Sequence, residues 1–347
     1  MDHRMDILII GGTGNISSEV TPLLVSLGHN VTVLNTGRHP APQGCKHIKA
    51  DRFNPLEFEN AVKGIKADAA IDFMAFAPGH CRADYRALRG NIGQFIFISS
   101  ATVYQKPHIK LPITEETPRG NPFWPYAQDK TACEEYLESV HGQDFPVTIV
   151  RPSHTFGKTW IPSPINGCGF TVAARMLAGK EFIIHGNGES LWTLTASSDF
   201  AKGFVGLVGN KGAAGEAFHI TSDEALSWNG IYKELGAALG ANKMNPVHIP
   251  TEFIAKVYPD ARGKLLGDKA ENGVFDNSKI KRFVPGFKCE KSFAAAIRES
   301  VAWFMEKAER REVDEGEDRL IELIAGAWRA DGALPRNAPM LNPPSFQ

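Results

Sequence analysis

Ile7-Leu-Ile-Ile-Gly11-Gly-Thr-Gly14-Asn-Ile-Ser17 decides the fold. An apolar run that ends in glycines and leads into a helix-forming segment reads as strand, tight turn and helix, the opening unit of a parallel sheet wound on both faces. Backbone amides at the start of such a helix hold a pyrophosphate, and the missing Cβ atoms allow its close approach. Gly11, Thr13, Gly14, Asn15 and Ile16 are therefore candidate cofactor ligands, against the alternative of a glycine turn that binds nothing. Ser17 replaces the third glycine of the usual fingerprint, and so small a residue still permits close helix-on-sheet packing.

Working outward, the pattern predicts strands over 7–10, 31–35, 46–50, 69–73, 95–99 and 147–150, with helices over 17–27, 55–62, 82–88 and 127–140. Continuous apolar strands of this kind are buried on both faces. After residue 150 the rhythm breaks into a Gly/Pro-rich stretch. A helix over 170–177, a strand over 182–185, a helix capped near Ser198 and a strand over 217–220 follow. The expected fold is α/β, a Rossmann-like doubly wound parallel sheet with a smaller mixed α/β C-terminal substrate lobe. Residues 1–155 with about 190–225 make the dinucleotide-binding domain, about 156–189 and 226–330 the substrate lobe, and 331–347 an extended Pro-rich tail. Leu320, Ile321, Ile324 and Trp328 form a stripe at helical spacing that reads as core packing, with a homodimer surface as the other reading.

The residues that carry chemistry lie at the carboxyl ends of the strands, where ligands collect in an open sheet. Tyr126 and Lys130 in Tyr126-Ala-Gln-Asp-Lys130 are one helical turn apart and face the same way, so the ammonium is expected to stabilise the phenolate. Ser100, at the end of the fifth strand, supplies a hydroxyl for a substrate oxygen, and Thr102 and Tyr104 either line the same pocket or pack. A phenol, an ammonium and a hydroxyl beside a dinucleotide point to hydride chemistry. His154 follows the sixth strand and either donates to substrate or bonds backbone; His185 reads as a loop histidine. At the end of the second strand, Asn35-Thr-Gly-Arg38 offers no carboxylate for an adenosine ribose. Arg38 leans the site from NAD to NADP, although Asn35 has the means to bond a free ribose hydroxyl and Arg38 also reads as a solvated charge.

Bulk composition narrows the partners. Lys plus Arg number 38 and Asp plus Glu 39, so no global field favours nucleic acid or an anionic membrane. A small molecule is the expected partner, with no nucleic acid and no membrane. Five scattered cysteines without a C-x-x-C predict neither a zinc site nor a disulfide framework, and no metal is expected. The short apolar run before the glycines and the lack of roughly 18 consecutive apolar residues predict a cytoplasmic chain. No G-x-S-x-G elbow supports a hydrolase.

Together, Gly11-Gly-Thr-Gly-Asn-Ile, Ser99-Ser-Ala-Thr-Val-Tyr104, Tyr126-Ala-Gln-Asp-Lys130 and Val150-Arg-Pro-Ser-His-Thr-Phe-Gly157 resemble the extended short-chain dehydrogenase/reductases, specifically their NAD-dependent epimerase/dehydratase group. The resemblance runs to about residue 300. It implies Tyr126 as general acid/base, Lys130 as its partner and ribose ligand, and Ser100 as donor to the substrate oxygen. It also implies that Asp51 and Arg52 border the adenine and that Met74 and Ala75 line the cofactor, NAD(P). The implied activity is oxidation, reduction or epimerisation of a sugar or polyol through a keto species.

Three departures separate this chain from the nucleotide-sugar pattern. The helix between strands four and five is short, His154 stands where the group has an Asn that touches a substrate phosphate, and Trp192 stands where it has an Arg for the pyrophosphate. An arginine fork is a natural phosphate ligand and an indole is not, whereas a sugar stacks on an indole. The short connection and the Asn-x-Gly end of strand two are also similar to the branch containing chloroplast stem-loop-binding proteins. A non-catalytic dinucleotide- or RNA-binding protein is accordingly the alternative function.

Overall fold

The computed structural model describes residues 4–165 and 169–332. The first half runs β1 (Asp6–Ile10), α1 (Ser17–Ser26), β2 (Asn30–Asn35), β3 (Lys46–Lys49), α2 (Pro55–Val62), β4 (Ala69–Asp72), α3 (Pro78–Leu88), β5 (Phe95–Ile98), α4 (Pro125–Val140) and β6 (Val147–Arg151). Next come β7 (His154–Phe156), α5 (Thr171–Leu177), β8 (Phe182–His185), β9 (Leu191–Ala196), α6 (Ser197–Val205), β10 (Ala217–His219), β11 (Ala225–Ser227) and α7 (Trp228–Leu239). The chain closes with β12 (Pro246–Ile249), α8 (Thr251–Val257), α9 (Arg262–Lys264), α10 (Ser278–Phe283), α11 (Phe293–Glu306) and α12 (Glu315–Gly332). Between α9 and α10, Leu265–Lys269 forms a π-helical turn.

Seven strands build one sheet in the order β10-β6-β5-β4-β1-β2-β3, and every pairing in it is parallel. This is the doubly wound arrangement expected from the sequence. The order reverses between β1 and β4, so the Gly11–Gly14 turn opens at the crevice where such sheets take ligands. One face packs α1 and α6 over Ile7, Ile9, Val33, Ile71 and Ile96, and the other packs α2, α3 and α4 over Leu8, Ile10, Ala70, Phe95 and Phe97. A third core, around Trp192, Trp228, Phe182 and Ile297, fills the lobe built on a three-stranded β11-β9-β7 sheet and a two-stranded β12-β8 sheet.

Two helices start earlier than periodicity predicts. Helix α3 begins at Pro78 rather than Arg82 because proline suits the first helical position and His80 Nδ1 accepts from the backbone amides of Phe76 and Ala77 at 3.1 and 3.3 Å. Helix α4 begins at Pro125 for the same reason, which puts Tyr126 in its first turn. In α12, Ile321 and Ile324 are buried, and Leu320 and Trp328 pack against the same core, so the stripe is a packing face. Residues 331 and 332 close this helix, and the remainder of the expected tail, 333–347, lies outside the described residues. Among the described residues, no helix is long and apolar enough to cross a membrane.

Gly12 holds the turn that starts the fold. Its φ is +77°, and a Cβ there would lie 3.1 Å from Ile9 Cγ2 and 3.3 Å from Thr21 Oγ1, whose hydroxyl donates to the Gly12 carbonyl at 2.9 Å. Gly12→Ala is expected to lower unfolding free energy by about 1–3 kcal/mol, from left-handed backbone strain plus crowding. Urea unfolding should show a reduced midpoint at unchanged slope.

Candidate active site

The turn after β1, the loops after β2, β3 and β4, and the first turn of α1 enclose a cavity of about 500 Å³. Gly11, Thr13, Gly14, Asn15, Ile16, Asn35, Arg38, Asp51, Arg52 and Met74 all line it. A dinucleotide fits this cradle. A Cβ on Gly11 would stand 2.9 Å from Met74 Cγ, and Ile16, at the N-cap of α1, makes no side-chain cap, so this helix start is of the kind that receives a pyrophosphate. Ser17 takes up the space of a third glycine by folding back, its Oγ accepting from Gly14 N at 2.9 Å.

Three of the expected cofactor residues serve otherwise than the sequence suggests. Asn35 is turned into its own loop: its Oδ1 bonds Gly37 N at 2.7 Å and His47 Nε2 at 2.9 Å, so it offers little to a ribose. Arg52 borders the cavity, yet its Nη2 is held by Asp72 and Asp84 at 3.0 and 2.8 Å, because a guanidinium buried this deeply needs carboxylates. Ala75 does not line the cavity, and its carbonyl instead accepts from Lys130. Phe53, Phe73 and Phe76, which no local motif marks, also line it.

A second cavity of about 340 Å³ shares Asn15 and Ile16 with the first. Ser100, Thr102, Tyr126, His154 and Trp192 all face it, together with Lys106, His108, Trp124, Asp268 and Phe275. Ser100 Oγ accepts from Thr102 N at 3.2 Å and Thr102 Oγ1 at 2.9 Å, which fills its acceptor positions and leaves its proton to donate. Tyr126 is wedged between Trp124 and Phe76, with ring centroids at 4.9 and 6.5 Å. Trp124 in turn sits so close to the α9 region that a Cβ at Gly263 would lie 2.5 Å from it.

The expected coupling of Lys130 to Tyr126 is not what the geometry shows. Lys130 Nζ donates to the carbonyls of Ala75 at 2.6 Å and Ile98 at 2.7 Å and lies 5.8 Å from the centre of the tyrosine ring. Burial raises the Tyr126 phenol to about 12, against a hydrogen bond with Ser100 that lowers it. The same burial lowers Lys130 to about 8. Residues on one helical face do not necessarily meet: here the longer side chain is drawn down to two carbonyls at the carboxyl ends of central strands.

His154 and Trp192 are also changed by their surroundings. Burial, helped by the charge of Lys269, lowers His154 to about 3, so it is a neutral ring that carries no proton near pH 7; its Nε2 has no partner among the described residues. Trp192 is only 3% exposed, with His154 and Trp228 rings each 4.7 Å away and Lys269 Nζ 4.7 Å from its centre. Its faces are occupied by protein, and its Nε1 donates to Asp268 at 3.2 Å. The indole therefore fixes Asp268 at the cavity rather than offering a stacking platform.

The model of the NAD dependent epimerase/dehydratase family matches residues 7–221. The chain belongs to this family. It is thus an NAD(P)-dependent enzyme of the epimerase/dehydratase type, within the short-chain dehydrogenase/reductases. A 2'-dehydrokanamycin reductase of Streptomyces kanamyceticus is 26% identical over 314 residues, covering 88% of this chain and 86% of that protein. The chloroplast stem-loop binding protein of 41 kDa b of Arabidopsis thaliana is 27% identical over 71% of this chain and 67% of its own. The UDP-glucose 4-epimerase of Bifidobacterium longum, solved with NAD+ and UDP, superposes with a TM-score of 0.68 at 21% identity, covering 88% of this chain and 100% of that one; at such identity the likeness is one of fold.

Lys106, His108, Trp124, Asp268 and Phe275 escaped the sequence reading. Trp124 was within reach, being two residues before Tyr126; Asp268 was not, since only the π-helical turn brings it across more than a hundred residues.

The buried lysine gives a pH signature. Its folded value, about 8, lies below the usual 10.5, so between these limits the unfolded chain binds more protons and stability rises with pH. Relative to Lys130→Met, the wild type should gain unfolding free energy from about pH 8 to about pH 10.5, measured by urea titrations across that range. A constant difference would show that the ammonium is not perturbed.

Proposed function

We propose that this protein is an NADP-preferring oxidoreductase that interconverts a keto group and a hydroxyl on a sugar carrying no nucleoside diphosphate. The observation that carries the reading is the composition of the cavity at Tyr126. Among the described residues no arginine lines it and Lys106 is its one lysine, bonded to His108 Nε2 at 2.7 Å; and Asp268 places a carboxylate there, which repels a diphosphate. The likeness to the 2'-dehydrokanamycin reductase supports the same direction.

With its phenol raised to about 12, Tyr126 rests protonated at neutral pH and is set to act as an acid. The reduction then follows from the residues in place. A carbonyl oxygen sits between Ser100 and Tyr126, Ser100 donates a hydrogen bond that orients it, and Tyr126 delivers the proton that makes the alcohol. The bound nicotinamide supplies the hydride for the carbonyl carbon. Lys130, buried and lining neither cavity, is a positioning residue in this reading: tied to the Ala75 and Ile98 carbonyls, it fixes the loop beside the cofactor rather than bonding the ribose that the resemblance implies. His154, neutral and next to the cavity, serves as a hydrogen-bond partner of a substrate hydroxyl.

For the cofactor, the end of β2 presents Arg38 and His39 to the cavity while Asn35 is engaged in its loop. A 2′-phosphate suits that rim better than a bare ribose diol does. In this reading β7 to β9 and β11 to α12 form the lobe that lies over substrate, β9 joining the lobe rather than the dinucleotide domain expected from the sequence, and the seven-stranded sheet with α1 to α4 and α6 holds the dinucleotide.

Tyr126→Phe should reduce turnover of a keto sugar by about 10²- to 10⁴-fold with little change in cofactor affinity, as expected for a lost acid. Undiminished turnover would remove Tyr126 from the mechanism. NADPH should bind more tightly than NADH, and Arg38→Ala should narrow that preference about tenfold in fluorescence titrations, the worth of one charge-assisted contact. Tighter binding of NADH by the wild type would reverse the cofactor assignment. Cofactor retained through purification would move the reading to an epimerase, which has no need to exchange it.

A further inference from the structure

Among the described residues, Asn15 and Ile16 line both the dinucleotide cradle and the cavity at Tyr126. Ile16 brings a hydrocarbon surface, whereas Asn15 brings an amide, and that amide is turned to the substrate side. Its Oδ1 accepts from the backbone N–H of Gly157 at 2.9 Å, and its Nδ2 donates to the carbonyl of Thr155 at 3.5 Å. The two bonds flank Phe156, so the side chain pairs with the end of β7 as the backbone of a parallel neighbour would. Gly157 makes room for this approach. A Cβ there would lie 3.0 Å from Asn15 Oδ1 and 3.3 Å from Ser197 Oγ, crowding the contact.

Beyond these bonds lies the substrate wall. Strand β7 carries His154, whose ring is held between Trp160 and Trp192 with centroids at 4.6 and 4.7 Å. It pairs in parallel with β9, the strand of Trp192, whose indole in turn holds Asp268. His154, Trp192 and Asp268 all line the cavity at Tyr126. The position of the β7 end therefore sets the groups that meet a substrate, and Asn15 fastens that end to the turn that receives the dinucleotide.

We propose that Asn15 is a positioning residue through which an occupied cradle fixes the substrate wall. It follows Gly14 directly, so a ligand that holds the turn restrains Asn15 as well, and each bond Asn15 makes then costs less ordering. Asn15 acts through β7, and its side chain takes no part in the chemical step. The assignment needs only the NAD(P) site of the family and is independent of which sugar the enzyme takes.

Hydrogen exchange, read at single amides on the full-length protein, tests this without turnover. The probe is ADP-ribose, with and without a 2′-phosphate, which fills the cradle but lacks the nicotinamide that reacts beside Tyr126. In the wild type, saturation should slow the Gly157 amide about tenfold, the worth of one net hydrogen bond, together with the amides of residues 11–17. In Asn15→Leu, which keeps the bulk and loses both bonds, the turn should still slow on saturation while Gly157 exchanges fast with or without the probe. Asn15→Ala, which also removes the bulk, should behave alike. Slowing of Gly157 that persists in both variants overturns the proposal. So does a wild-type Gly157 that exchanges equally with and without the probe while the turn slows, the result expected of a contact that merely holds the fold together.

Discussion

The ammonium of Lys130, buried at the carboxyl end of the sheet on the carbonyls of Ala75 and Ile98, is the contact on which the site depends. Those carbonyls belong to the loop after β4 and the last residue of β5, while the lysine comes from α4, so one cation ties two strand ends to one helix. Each carbonyl would otherwise face a dry crevice unpaired. Because α4 is fixed there, Tyr126, one turn earlier, is held at the cavity wall. Because the β4 loop is fixed there, Met74 closes the dinucleotide cradle against Gly11.

A second set of buried charges keeps the same strand ends in place from below. Glu134, also on α4, accepts from Ser99 Oγ at 2.5 Å, from Arg151 Nη2 at 2.7 Å and from Arg119 Nη1 at 2.9 Å. Arg151 continues to the Tyr104 hydroxyl at 3.1 Å, and Tyr104 meets the neutral, buried His219. Desolvated ions of this kind contribute little net stability but penalise any other arrangement, since a partner lost leaves a charge stranded. Ser99 is anchored downward by this network, which leaves the adjacent Ser100 pointing into the substrate cavity. Asn121 completes the frame by donating to the carbonyls of Thr102 and Gly267 at 2.8 and 2.7 Å, joining the catalytic loop to the π-helical turn that carries Asp268.

The substrate side departs from diphosphate recognition in a consistent direction. His154 is neutral, Trp192 is a buried wall, Lys106 is bonded to a histidine, and a carboxylate stands at Asp268. In the proposed function, that composition suits an uncharged, hydroxyl-rich ligand better than an anion.

The sequence by itself determined the doubly wound sheet and the glycine turn at its crevice, and it named Ser100, Tyr126 and Lys130 as candidates, because each is written in local signals: strand period, glycines at a strand-to-helix turn, and residues one helical turn apart. Family membership was legible for the same reason. What only the tertiary structure decided is the state of those residues. Whether Lys130 meets the phenol or the backbone, whether Trp192 offers a face or is sandwiched, and whether Asn35 and Arg52 are free for a ligand all depend on partners from distant segments. Burial then sets the protonation of Tyr126, Lys130 and His154, and burial is a property of packing in three dimensions that no spacing in the chain encodes.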